Sequence, residues 1–318
     1  MNEASPDILL QFQALGEETR LRILLLVREM ELTVGEIALA LGQSQPRVSR
    51  HLRILDEAGL ARRRKEGAWT FVEATPPPAS PLYETIEAGL GGALGRAVAA
   101  DAKRLEAIRI ERAETASRYF AERAEQWELL QSLHVDEEEV EAAIADALKG
   151  RALGRLVDIG TGTGRMLELF APGASQAIGY DRSADMLRLA RVRLDVAGTE
   201  ASLRQGDMAA LPLGDGEADT VIVHQVLHFA HQPRAAIDEA ARILAPGGRL
   251  VLVDFEAHDR EELRRAHGHQ RLGFRADAVR DMVKLAGLRP ARPVRLEGEI
   301  NVMIWAADRP RTPREKAA

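Results

Sequence analysis

LVDIGTGTGR, residues 156–165, decides how the larger part of this chain folds. An apolar run ends in an acid, Asp158, and three glycines, Gly160, Gly162 and Gly164, alternate with threonines directly after it. Glycine at a strand-to-helix turn tolerates left-handed backbone angles and lets a ligand lie against bare backbone. Such a loop is ambiguous by itself, because dinucleotide-binding loops begin in the same way. Two details separate them. The dinucleotide fingerprint spaces its glycines as G-x-G-x-x-G, whereas here the third glycine comes one residue early and Arg165 stands in the expected place. A carboxylate at the strand end also repels a pyrophosphate, but it attracts a ligand carrying ammonium and sulfonium charges.

Around the loop the pattern alternates. Arg155–Ile159, Gln176–Tyr180, Ser202–Gln205, Thr220–Val223 and Arg249–Phe255 read as apolar strands separated by amphipathic helices, which predicts a parallel, doubly wound sheet. The order D-x-G-x-G-x-G, then QAIGYD, GDMAALP, VIVHQVLHF and ILAPGGRLVLVDF, resembles class I S-adenosylmethionine-dependent methyltransferases over about residues 115–255. The resemblance implies a cofactor, S-adenosylmethionine or S-adenosylhomocysteine, held by Asp158, Gly160, Thr161, Gly162 and Gly164. It implies further that Asp181 takes the ribose hydroxyls, that Arg182 and Met186 border the adenine, and that Asp207 and Met208 contact its amino group and ring face. His224 ends the fourth strand, at the loop that closes over the methyl group. SRYFAERAEQWELL, residues 117–130, resembles the entrance helices of ubiquinone-biosynthesis methyltransferases, so Tyr119, Phe120 and Trp127 either cover the site or pack in a helical core.

Transfer of a methyl group from a sulfonium is an in-line displacement in which positioning supplies much of the rate, and acceptors of high pKa need a base as well. Histidines supply the candidates: His224, His228 and His231 after the fourth strand, and His267 and His269 in RRAHGHQRLGF. His228 is the catalytic candidate on the acceptor side. The spacing of His224 and His228 would also suit zinc on a helix, but no carboxylate motif completes such a site and no metal is expected.

The first seventy-odd residues have another character. Apolar positions over residues 8–30, interrupted near Gly16, suit two helices. Thr33 and Glu36 form a capping box for VGEIALALG, which stops at Gly42, and Ser44 opens QPRVSRHLRILDEAG with Pro46 in its first turn. Leu60–Lys65 and Trp69–Glu73 then read as a hairpin around Glu66-Gly67. Helix, turn, helix and basic hairpin make a winged helix-turn-helix. It would place Ser44, Gln45, Arg47, Ser49, Arg50 and His51 in a major groove, and Arg62, Arg63, Arg64 and Lys65 on flanking phosphates. Ile54, Leu55 and Leu60 are expected in the core.

QSQPRVSRHLRILDEAGL with RRRKEGAWTFV resembles the winged-helix repressors of the ArsR/SmtB family over residues 5–75. The resemblance implies double-stranded operator DNA as partner, and a homodimer formed through the first helix and the helix after the wing. Many such repressors sense metal through a cysteine pair in the stretch matching ELTVGEI, residues 31–37. Thr33 and Gly35 stand there instead and cannot replace two thiolates for soft metals.

Composition sets the outer bounds. The 318 residues, 46% hydrophobic and 29% charged, accommodate two domains and a helical connector. No apolar run approaches the ~20 residues that span a bilayer. MNEASPDILLQFQAL has neither a basic start nor a small-residue cleavage site, so no membrane and a cytoplasmic location are expected. Cysteine is absent, which excludes disulfides, cysteine nucleophiles and the thiolate chemistry of arsenite methyltransferases. The net charge of −6 argues against indiscriminate nucleic-acid binding, yet the stretch from Gln43 to Lys65 carries seven basic residues against Asp56 and Glu57.

The expected fold is therefore α plus α/β: a winged helix-turn-helix over 1–75, a proline-rich linker (TPPPASP, 75–81) and helical connector over 76–115, and a Rossmann-like methyltransferase domain over 116–318. Two functions compete. One is a transcription regulator whose methyltransferase-like domain binds the cofactor as effector and modulates operator binding, with methionine-cycle genes as natural targets. The other is a methyltransferase acting on a small-molecule acceptor, with its own promoter-binding module.

Overall fold

A computed structural model describes residues 8–66, 69–75, 80–121, 135–263 and 269–311. The chain divides into two compact units between Ser117 and Arg118. No described helix is long and apolar enough to cross a membrane.

The front unit begins with helices α1 (Ile8–Leu15) and α2 (Glu18–Glu29), a short strand β1 (Leu32–Thr33) and helix α3 (Val34–Leu41). The capping box closes α3 as its sequence predicts: Glu36 N–H donates to Thr33 Oγ1 at 3.2 Å and Thr33 N–H donates to Glu36 Oε2 at 2.7 Å. Gly42 ends that helix in the left-handed region. Helix α4 (Gln45–Glu57) follows with Pro46 in its first turn, then strands β2 (Ala61–Glu66) and β3 (Trp69–Ala74), paired antiparallel and extended by β1 on the far side of β3.

Val48, Leu52 and Leu55 form the inward stripe of α4, and Leu60 is buried beside them. Ile54 does not join them and is 39% exposed. One helical residue turns about 100°, so the position before Leu55 leaves the stripe. The segment after the linker forms two helices, α5 (Pro81–Ala88) and α6 (Gly92–Ala121), parted near Gly91-Gly92. It is not free-standing: Tyr83, Leu105 and Ile108 are buried in the core of the front unit. Arg28 lies over the Tyr83 ring at 4.5 Å, and the buried Asp101 accepts from Arg22 Nε at 2.6 Å and from Arg104 Nη2 at 2.7 Å.

After the end of α6, the described part of the second unit runs through α7 (Glu137–Leu148), β4 (Arg155–Ile159), α8 (Arg165–Phe170), β5 (Gln176–Asp181), α9 (Ala184–Ala197) and β6 (Ser202–Gln205). It continues with β7 (Ala218–His224), α10 (Pro233–Ile243), β8 (Leu244–Phe255), α11 (Ala276–Leu285), β9 (Arg289–Pro290), β10 (Val294–Leu296) and β11 (Val302–Asp308). The strands order as β10-β11-β8-β7-β4-β5-β6, with β9 on β11. Alternate residues feed two cores. Val157, Ile159, Val221, Val223, Leu250 and Leu252 face α10 and α11, whereas Leu156, Ile222, Val251 and Val253 face α7, α8 and α9.

The sheet is parallel from β6 to β8, as the alternating pattern predicts. It is not wholly parallel, because β11 inserts antiparallel between β8 and β10. The five predicted strands are present, two of them longer at their starts: β7 begins at Ala218 and β8 at Leu244.

Candidate cofactor cavity and nucleic-acid interface

The C-terminal ends of β4, β5 and β7 open onto a cavity of 1220 Å³. The glycine loop is wrapped onto β5: Gly160 N–H and Thr161 N–H both donate to Tyr180 O, at 2.7 and 2.9 Å. Gly160 has φ +72, and a Cβ there would meet the Val226 side chain at 2.5 Å, so both backbone angle and space demand glycine. Asp158, Gly160, Thr161, Gly162, Asp181, Arg182, Met186, Asp207, Met208 and His224 all line the cavity. Gly164 is not among the lining residues. It caps α8 at φ +82, where a Cβ would stand 3.1 Å from Ala190 Cβ, so it serves helix packing instead of ligand contact.

Two carboxylates set the electrostatics. Asp158 is 1% exposed and, among the described residues, its oxygens have the Thr161 hydroxyl nearby but no hydrogen bond of ordinary geometry. Burial pushes its pKa up to about 7; the Thr161 hydroxyl opposes this and the charge of Asp181 adds to it. A buried carboxylate left in this condition lacks a cation. Asp181 accepts from Gly162 N–H at 2.9 Å and Ser183 N–H at 2.7 Å. Burial still raises its pKa above the ordinary value, against those amides. Two amides leave carboxylate lone pairs available for the paired hydroxyls of a ribose. The residues present therefore fit a nucleoside that carries a free amino-acid group: an orphaned acid for its ammonium, a second acid for its ribose, and a bare-backbone loop between them.

The far wall corrects the placement of the catalytic candidate. His228 is 2% exposed, and it is Phe229, Ala230, His231, Gln232 and His269 that line the cavity. His228 sits behind them in a 3-10 turn (Leu227–Phe229) with Nδ1 2.8 Å from Asp254 Oδ1. His224 lies at a strand end, not on a common helix with His228, which removes the zinc-helix geometry. Sequence reasoning missed Gln225, the single described non-glycine residue at positive φ (+49), which also lines the cavity. It also missed Asp254 and the contribution of His269. Tyr119 and Phe120 have no described side chains, and Trp127 and His267 lie outside the described residues.

In the front unit Ser44, Gln45, Arg47 and Arg50 are exposed on the N-terminal half of α4 and Ser49 is half-buried. Arg62, Arg63 and Lys65 are exposed on β2, Arg63 pairing with Asp56 at 2.9 Å. Two expected contacts fall elsewhere. His51 turns inward with Nδ1 3.4 Å from Glu17 Oε2; burial lowers its pKa, Glu17 opposes this, and Arg20, Arg47 and Arg50 add to it. Arg64 is held between Glu31 and Glu66, its guanidinium 5.9 Å from the Phe71 ring centroid, so its charge is spent within the fold. If Arg47 and Arg50 meet phosphates, replacing both with alanine will lower operator affinity and flatten its dependence on log salt by about two phosphate contacts per protomer. An unchanged slope in a salt titration contradicts that placement.

Known proteins match both units. The profile of the bacterial regulatory protein arsR family covers residues 17–63, and the profile of a methyltransferase domain covers residues 157–252. An arsenical resistance operon repressor of Escherichia coli is 48% identical over 66 residues, 20% of this chain and 56% of the repressor. A demethylmenaquinone methyltransferase of Thermus thermophilus is 40% identical over 109 residues, 33% of this chain and 49% of the enzyme. The chain thus spans about half the length of each of these two curated relatives. The crystal structure of the YcgJ protein of Bacillus subtilis superposes with a TM-score of 0.50 at 18% identity, covering 55% of this chain and 100% of that one, a likeness of fold.

Proposed function

We propose that this chain, which joins an arsR-family helix-turn-helix domain to a class I methyltransferase domain, is a DNA-binding regulator with S-adenosylmethionine or S-adenosylhomocysteine as its effector. The observation that carries the reading is Asp158, a buried acid without a counter-charge beneath a glycine loop, in a chain that also presents Arg47 and Arg50 on an exposed helix. The ligand's ammonium would face Asp158, and its ribose would face Asp181. Once bound, the methylated form supplies an electrophilic methyl group at the sulfonium.

Operator binding would involve a homodimer. Ile8, Leu9 and Phe12 on α1 and Ile110 on α6 are each more than half exposed, which suits a dimer face on those helices. Regulation requires that the effector bind the DNA-competent and incompetent states with different affinity, and a coupling of about 1–3 kcal/mol changes operator affinity 5–150-fold. Genes of the methionine cycle, whose products set the level of both cofactor forms, are the natural targets. Operator-binding curves with and without each ligand, at fixed salt, test the reading. A shift supports it, and superimposable curves for both ligands end it.

A second reading has its own observation. The buried Asp254–His228 pair stands directly behind a cavity-lining imidazole, an arrangement that favours methyl transfer to a small molecule. The two readings can hold together.

A further inference from the structure

Gln225, the one described non-glycine residue at positive φ, stands between the end of β7 and the 3-10 turn (Leu227–Phe229), on the wall of the cavity. In the left-handed region the Cβ of an L-residue crowds the backbone beside it, so glycine is the usual occupant and asparagine the usual exception. A long carboxamide has no conformational advantage there. The backbone is nevertheless held on both sides. Gln225 N–H donates to Val253 O at 2.8 Å, one step beyond the His224–Val253 register of β7 and β8. The next residue, Val226, is pinned by the glycine loop, because its side chain fills the space over Gly160 so closely that a Cβ there would meet it at 2.5 Å. Bonded before and packed after, Gln225 keeps a costly conformation that glycine would adopt freely, and such strain gathers where a side chain meets a ligand. Gln225 is half-buried, and among the described residues no group hydrogen-bonds to its carboxamide.

The loop that Val226 covers runs from Asp158, which would face the ammonium of the ligand, towards Asp181, which would face its ribose. Sulfur is the atom between those two ends, joined to the amino acid by two methylene groups and to the ribose by one. A ligand held by both acids therefore passes its sulfur over Gly160–Gly162, with Gln225 on the facing wall. We infer that Gln225 reads the sulfur of the effector, and that through it the site selects S-adenosylmethionine over S-adenosylhomocysteine. The inference deepens the effector reading and rests on it. The two forms differ by one methyl group and one positive charge, both at sulfur. A sulfonium withdraws electrons from its methyl group, and polarised C–H groups are drawn to an amide oxygen. An uncharged thioether offers the same oxygen no such partner. Because the amide is neutral, it makes this distinction without adding a third carboxylate to a cavity that already holds Asp158 and Asp181. Glycine would relieve the backbone and leave nothing to tell the two forms apart.

Calorimetry of the full chain with S-adenosylmethionine and with S-adenosylhomocysteine tests this, and its readout is the ratio of the two dissociation constants. Wild type is expected to favour the methylated form by about three- to fivefold through this contact. Gln225→Leu, which keeps the bulk and loses the oxygen, should lower the preference by that factor. Gln225→Glu, of the same shape with a full charge, should raise it to about tenfold or more. Gln225→Gly should unfold about 2–4 °C higher than wild type without ligand, because the strain is released, and should lose the preference as the leucine variant does. A residue strained for packing alone would give that gain in unfolding temperature with the ratio unchanged. A ratio that is the same in wild type and in the leucine and glutamate variants overturns this inference alone, as does a wild-type preference for the demethylated form. Failure of the wild-type protein to bind either form overturns both this inference and the reading beneath it.

Discussion

Asp158→Asn is expected to lower the affinity for S-adenosylhomocysteine by about a hundredfold or more, the scale of ~3 kcal/mol set by removing one partner of a buried charge pair. The expectation follows from the two orphaned oxygens of Asp158 and from a pKa of about 7 in the unliganded fold. The direction of the pH effects is fixed by that rise. A carboxylic acid raised above its unfolded value contributes its stability below about pH 4, and this is lost as pH rises through about 7. At pH 8 the empty protein therefore carries an ionised, uncompensated carboxylate, a burden of order 4 kcal/mol. Asp158→Asn should melt at a higher temperature than wild type at pH 8 without ligand, with the difference shrinking towards pH 5. Wild-type affinity should climb as pH passes through about 7 and the variant's should stay flat, as calorimetry across that range would record. Equal affinities, or parallel pH profiles, would remove Asp158 from the site.

Arg112→Ala should unfasten the reading helices. Arg112 Nε and Nη2 donate to Glu36 Oε1 and Oε2, each at 2.7 Å, and Nη2 also donates to Glu31 O at 3.2 Å. Glu36 is the acid of the capping box that opens α3, so one guanidinium ties helix α6 to the first helix of the helix-turn-helix. Burial disfavours the charge on Glu36, but Arg112 and the Thr33 groups outweigh it and hold its pKa below the ordinary value. Without Arg112 the carboxylate stays largely buried and loses its counter-charge, a cost of about 2–3 kcal/mol. Denaturant unfolding of the front unit should shift to lower concentration by that amount. Because the pKa of Glu36 is depressed, the contribution exists above its unfolded pKa and fades as pH falls through the lower folded one. The gap between wild type and variant should therefore close in acid. A double-mutant cycle with Glu36→Gln that returns no coupling energy would show that the pair contributes nothing.

These two sites differ in how far the sequence discloses them. Asp158 and the capping box are local patterns: an acid at a strand end before glycines, and a Thr with a Glu three residues on. Local spacing suffices to find them. Arg112 lies 76 residues from Glu36, and no periodicity links the two. Arg64 shows the same limit from the other side, since a run of basic residues reads as a phosphate-binding patch until the fold brings Glu31 alongside it.

Strands β4, β5 and β7 were legible because each is an apolar run followed by an amphipathic helix, whereas β6 buries only Leu203 and leads through a loop to β7. No described helix follows Val302–Asp308, and its antiparallel place between β8 and β10 depends on pairing with residues about fifty positions away. His228 was legible as a residue type after the fourth strand, but its burial behind the cavity wall depends on the tertiary fold. Only the backbone bonds of Gln270 and Arg271 to His228 O reveal that His269 occupies the wall in front of it.

The most direct test of the central claim is operator affinity measured at fixed salt across a titration of S-adenosylhomocysteine and, separately, S-adenosylmethionine, repeated with Asp181→Ala. The account predicts that at least one ligand shifts wild-type operator affinity by 5–150-fold, and that Asp181→Ala moves the shift to much higher ligand concentration while leaving ligand-free operator binding unchanged. Operator affinity that stays constant through saturating concentrations of both ligands would contradict it.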